Sequence, residues 1–188
     1  MRFEALDLDG VWLIDLEPSA DVRGFFARTW DADLFAARGL DRALAQVSVS
    51  FNRLRGTLRG LHFQAEPVPE AKLVRCTAGR IFDVAVDVRD GSPSRGRWTG
   101  VELSAENRRS LYVPPGFAHG FQALDDGTEV LYQISNRYSP EHSRGVRWDD
   151  PEVGVQWPLP NPILSDRDRT LPLLAESAIQ ASDASAPN

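Results

Sequence analysis

RIFDVAVDVR, residues 80–89, alternates with a period of two. In an extended strand Phe82, Val84, Val86 and Val88 point to one face, and Ile81, Asp83, Ala85 and Asp87 to the other. The first row is a packed core face. The second, small and acidic, fits either a solvated surface or the lining of a polar barrel mouth. The chain on either side is written in the same style. VWLIDL (11–16), AQVSVSF (45–51), KLVRCTAG (72–79), WTGVELS (98–104), SLYVP (110–114), FQALD (121–125) and EVLYQIS (129–135) are short and rich in β-branched and aromatic residues. Turn clusters such as RDGSPSRG, PPG and DDG separate them. One segment reads as a helix, with Asp31 as N-cap, ADLFAAR following and Gly39 as the stop. Many short strands at regular spacing predict an all-β jelly-roll sandwich or barrel with a few short peripheral helices.

The chain has 188 residues, enough for one well-buried core. It reads as a single domain over 1–174 with a small, polar and flexible C-terminal tail over 175–188. Hydrophobic content of 42% and charged content of 26% are those of a soluble globular protein. A net charge of −6 argues against nucleic acid or an anionic membrane as the main partner, and leaves room for a local basic pocket around a small anion. MRFEALDLDG has early acids and no apolar run, so no secretory leader is expected, and no stretch approaches the ~20 apolar residues of a membrane helix. Cys76 is the lone cysteine, which excludes an internal disulfide and suggests the cytoplasm. Of 21 basic residues only Lys72 is lysine. Either that is chance, or the site needs a compact ammonium on a flexible stem.

TLRGLHFQ, residues 57–64, carries His62, one of three histidines. Taken singly, such a histidine is a packed or surface residue with both nitrogens satisfied, and Tyr132, in register with Val130 and Ile134, is a core tyrosine with a partnered hydroxyl. A metal-binding cupin would show an H-x-H pair followed by P-x-G-x-x-H. The second half is present as Pro114, Gly116 and His119, but Gln64 stands two residues after His62. A neutral amide is a poor replacement for imidazole at a transition-metal site, so no metal is expected.

GTLRGLHFQ, EAKLVRCTAGRIFDVAVDVRDGSPSRGRW, LSAENRRSLYVPPGFAHGF, TEVLYQISNRYSPEHSRGVRWDDPEVGVQWP and LSDRD occur here in that order. Together they resemble the dTDP-4-dehydrorhamnose 3,5-epimerase family, from about Arg23 in DVRGFF to about Asp168. The resemblance implies a cupin-type jelly roll, a homodimer, and epimerisation of a nucleotide-linked 4-keto-6-deoxyhexose with no metal or organic cofactor. It also implies roles. His62 matches the general base, Asp168 the aspartate that orients it, Tyr132 the proton donor on the opposite face of the sugar, and Lys72 the cation at the enolate oxygen. Arg59, Arg23, Gln46, His119 and Asp83 match positions around the substrate, the two arginines toward its phosphates and nucleotide. Arg28 replaces a frequent glutamate and Arg137 a frequent aromatic, both near the nucleoside. The family includes enzymes that invert carbon 3 or carbon 5 alone, so which carbons are inverted stays open. Two further classes are a metal-dependent cupin enzyme, which would lose activity to a chelator, and a non-catalytic sugar-nucleotide-binding cupin, which would not need all four catalytic matches.

Overall fold

The computed structural model describes residues 1–177. Its strands are β1 (Arg2–Ala5), β2 (Trp12–Asp15), β3 (Ser19–Asp21), β4 (Gly24–Phe26), β5 (Gln46–Asn52), β6 (Leu58–Gln64), β7 (Lys72–Ala78), β8 (Arg80–Asp87), β9 (Trp98–Ser104), β10 (Ser110–Val113), β11 (Phe117–Ala123), β12 (Thr128–Ile134) and β13 (Ser143–Gly145). Helix α1 (Ala32–Ala36) precedes β5, and α2 (Asp166–Arg169) follows β13. One sheet runs β1-β2-β10-β7-β12-β5 and faces a second, β13-β6-β11-β8-β9. Every named strand pair is antiparallel. This is the expected jelly-roll sandwich.

Burial explains why β8 stands at its centre. Ile81 and Ala85 join Leu13, Val74, Leu111, Phe117, Phe121 and Val130 in the core between the sheets. Asp83 and Asp87, on the same face of β8, are fully buried, which rules out a solvated surface for that row. The other row is buried as well. Val84 and Val86, with Phe82 and Val88 partly covered, pack outside the five-stranded sheet against Leu61, Ala118, Val146, Val153 and Leu174. The chain after β13 thus caps the outer face of β8, and each buried Val or Leu there contributes about 1.5–3 kcal/mol. Asp87 organises the turn into β9. Its carboxylate accepts from Arg89 Nη2 at 2.7 Å and from the hydroxyls of Ser92 and Ser94 at 2.6 Å each. Burial works against its charge, but these donors outweigh it and hold the carboxyl far below the usual carboxylate range.

The structure departs from the sequence reading in a few places. FQALD is the end of a longer strand that begins at Phe117, so His119 lies in a strand and not in the preceding turn. Strands β1, β3, β4 and β13 had no clear sequence signal, and β3 and β4 form a hairpin that joins neither large sheet. Helix α1 starts as expected, the Asp31 side chain accepting from Asp33 N and Leu34 N at 3.1 Å each, but ends at Ala36, two residues early. It buries Phe35 against Ile14, Leu73 and Tyr112. Residues 174–177 form a helical turn with Leu174 buried, and the remainder of the expected tail, 178–188, lies outside the described residues. Among the described residues no helix is long and apolar enough to cross a membrane.

Candidate active site

The glycine before His62 has a geometric cause. Gly60 has φ +132°, and a Cβ there would meet the Cα of Gly120 at 2.5 Å. Strands β6 and β11 therefore approach backbone to backbone, with a register shift between His119 and Phe121. Past this point Leu61 belongs to the outer core, while His62 lies opposite His119 in the neighbouring strand. A partner for His62 comes from far along the chain. Leu58 N donates to Ile163 O at 2.9 Å and Ile163 N to Gly56 O at 2.9 Å, which lays the segment before α2 along the start of β6. Ser165 then caps α2, its hydroxyl accepting from Asp168 N at 3.1 Å. S-x-x-D is the spacing of a capping box. Here the acidic member turns away from its own helix: Asp168 Oδ1 lies 2.6 Å from His62 Nε2, and Oδ2 accepts from Gly60 N at 3.4 Å. Burial disfavours the charged form of Asp168, but the His62 ring, Gly60 N and the Ser165 hydroxyl outweigh it and keep the carboxyl below its ordinary range. Asp168 is thus an ionised, buried acceptor that fixes one imidazole nitrogen, and the other has no partner among the described residues.

Four more of the expected residues converge on the same end of the space between the sheets. Lys72, nearly buried, donates to the His62 carbonyl at 3.1 Å and lies 3.1 Å from Glu70 Oε1. His119 Nε2 lies 2.7 Å from Asp83 Oδ1, and both side chains are buried. Burial pushes the Asp83 carboxyl up, opposed by His119 and by the Lys72 charge. Tyr132 packs edge-on against His119, ring centres 5.9 Å apart. Its hydroxyl is pushed up by burial, with Ser50 and Arg59 pulling the other way, so it stays protonated at any ordinary pH. Two buried polar atoms beside it, Ser50 Oγ and Asp83 Oδ2, have no hydrogen-bond partner within the described residues.

Arg59 stands at the rim, held by Asn52 Oδ1 at 2.8 Å and the Phe51 carbonyl at 3.3 Å, with its residue otherwise exposed. Gln46 lies on β5, whose register opposite β12 puts Gln46, Ser48 and Ser50 on the same face as Tyr132. Its amide oxygen accepts from Tyr138 N at 2.7 Å. Arg23 is not brought to this cluster within one chain. It sits on the exposed β3–β4 hairpin, paired with Asp21. Glu70 and Ser50 were not anticipated; for Ser50 the alternation of QVSVSF carries the signal, and for Glu70 there is none. The third histidine, His142, takes no part, its Nδ1 lying 2.8 Å from Ser139 Oγ. A wide groove runs elsewhere, on the outer side of the five-stranded sheet between Phe63, Val88, Arg144 and Leu174, and none of the clustered residues lines it.

The family model described as dTDP-4-dehydrorhamnose 3,5-epimerase matches residues 5–176. The dTDP-4-dehydrorhamnose 3,5-epimerase of Sinorhizobium fredii is 46% identical over 177 residues, covering 94% of this chain and 91% of that protein. The dTDP-4-dehydrorhamnose 3-epimerase of Streptomyces niveus is 43% identical over 178 residues, 94% of this chain and 86% of that one. Among solved structures, a 4-keto-6-deoxy sugar epimerase from the novobiocin biosynthetic gene cluster of Streptomyces spheroides superposes with a TM-score of 0.91 at 41% identity, covering 96% of this chain and 91% of that one.

Proposed function

The chain belongs to the dTDP-4-dehydrorhamnose 3,5-epimerase family, and we propose that His62, Asp168, Tyr132 and Lys72 are the groups with which it carries out the family's reaction. The protein is an isomerase that epimerises a dTDP-linked 4-keto-6-deoxyhexose. The observation that carries the assignment of roles is the His62–Asp168 contact of 2.6 Å, made across 106 residues of sequence with the Asp168 side chain buried and the His62 ring still open to solvent.

The chemistry follows from the ketone. A carbonyl at carbon 4 acidifies the protons on carbons 3 and 5, and removing either leaves an enolate. Inversion needs a base on one face, an acid on the other and a positive charge at the oxygen. The ring nitrogen of His62 that faces away from Asp168 takes the proton, and Asp168 stabilises the imidazolium that forms. Tyr132, kept protonated by its surroundings, returns a proton from the opposite face. A positioned acid or base of this kind contributes about 10²–10⁴-fold. Lys72 supplies the charge where the enolate oxygen develops, in an interior that strengthens it. Arg59 suits the phosphates with its planar fork. The His119–Asp83 pair, the unpaired oxygen of Asp83 and the inward row of Gln46, Ser48 and Ser50 offer polar contacts to the sugar. Incubating dTDP-4-keto-6-deoxyglucose with the protein tests the assignment of substrate: NMR of the product reports inversion at carbon 3, carbon 5 or both, and an unchanged sugar would exclude it.

Assembly as a homodimer is part of the same proposal, supported by two exposed apolar features. Val47, Val49 and Phe51 point outward from the edge strand β5 and are 56%, 56% and 59% exposed. The β3–β4 hairpin holds Val22 and Phe26 almost fully in solvent, with Arg23 between them. An apolar strip on a sheet edge is a pairing surface. A second copy would cover it and receive the hairpin, bringing Arg23 toward the partner's nucleotide. Val49→Asp with Phe51→Asp is expected to yield a monomer in sedimentation at micromolar concentration, with activity lost. A wild-type monomer with full activity would contradict the assembly. A cytoplasmic setting belongs to the proposal as well, since the lone buried Cys76 has no disulfide to form.

A further inference from the structure

Glu70 lies in EPVPEA, a stretch that reads as loop, yet its carboxylate is 3.1 Å from the ammonium of the only lysine in the chain. Neither group is well solvated: the side chains of Lys72 and Glu70 are 10% and 12% exposed. At that burial an ion pair is stronger than one on the surface, and losing one partner strands the other charge. The loop around Glu70 is also tied down on both sides. Gln64 Nε2 donates to the Val68 carbonyl at 2.5 Å, Asn136 Nδ2 to the Pro69 carbonyl at 3.2 Å, and Ala71 N to the Ser135 hydroxyl at 2.8 Å. Glu70 is therefore anchored to β6 and to the end of β12, and does not ride on a free loop. With the His62 carbonyl on one N–H and Glu70 beside the ammonium, Lys72 is fixed from two directions and keeps donor capacity for the substrate.

We propose that Glu70 is a positioning residue for the epimerisation, holding the Lys72 ammonium at the place where the enolate oxygen develops and acting on the reaction only through Lys72. The proposal rests on the reading of Lys72 as the enolate-stabilising cation. Glu70→Gln keeps the shape and removes the charge. It is expected to lower kcat by roughly 10²-fold, the loss that follows from misplacing a reacting group by about 1 Å, while KM for the dTDP-sugar and binding of dTDP stay within about 3-fold. Glu70→Asp, which keeps the charge on a shorter arm, should recover part of that loss, and serves in its place if Glu70→Gln does not fold. The deciding comparison uses Lys72→Met. In that background Glu70→Gln should have no further effect, because residues that act as one unit are non-additive. A wild-type kcat in folded Glu70→Gln, or the same fold-loss in the Lys72→Met background, overturns the role of Glu70 and leaves that of Lys72 standing. Wild-type turnover in Lys72→Met alone overturns the reading of Lys72, and with it the premise.

Discussion

His62→Asn is expected to abolish deuterium exchange at the sugar and to leave nucleotide binding in place. An asparagine keeps a hydrogen bond to Asp168 within reach and cannot take a proton, so the change removes basicity more than structure. The expected loss is at least the ~10²–10⁴-fold of one acid–base group, and larger here because no enolate forms without the base. Asp168 keeps its contact with Gly60 N and its backbone bond to the Ser165 hydroxyl at the start of α2, so the fold survives with some loss of stability. dTDP affinity, which the proposal assigns to Arg59 and the rim, should change little. Exchange at the wild-type rate in this variant would remove His62 from the mechanism.

Tyr132→Phe separates acid from base. If Tyr132 delivers the proton on the face opposite His62, its loss still permits enolate formation. Deuterium then washes into the substrate from the His62 side, since the imidazolium exchanges its proton with solvent and can return it where it came from. Net inversion falls by about 10²–10⁴-fold. Removing one hydroxyl leaves the ring packed against His119 and the core between the sheets. A tyrosine with only a packing role would instead cost about 1–3 kcal/mol from a partner left unpaired, and would lower exchange and inversion together. The ratio of exchange to inversion therefore decides, and an unchanged ratio excludes Tyr132 as the acid.

Much of this architecture is legible in the sequence because parity in a strand is a strong constraint. RIFDVAVDV separates its two rows without ambiguity, and one structural fact, the burial of Asp83 and Asp87, settles which kind of row the acidic one is. QVSVSF carries the same information with the opposite sense: its serines face in and its valines face out, the reverse of an ordinary strand, because its inner face lines a polar interior and its outer face lies on an exposed sheet edge. His119 was harder to place. Pro114 and Gly116 are turn signals, and the strand starts directly after them at Phe117, a boundary that local composition does not mark. Contacts between distant segments are beyond pattern reading. Ser165-x-x-Asp168 can be recognised as a cap, but that Asp168 turns to His62 depends on Ile163 lying beside Leu58. The resemblance to the family assigned that pairing where periodicity alone could not. Glu70 is the extreme case, an acid in a proline-rich loop whose role emerges only when Gln64, Ser135 and Asn136 are folded around it.

The proposed mechanism removes and returns a proton through an enolate, by groups that exchange with solvent. Running the wild-type enzyme with dTDP-4-keto-6-deoxyglucose in deuterated water tests it directly, with NMR reading isotope and configuration at carbons 3 and 5. Every carbon found inverted in the product is expected to carry solvent deuterium. An inverted carbon that retains its original hydrogen would contradict it.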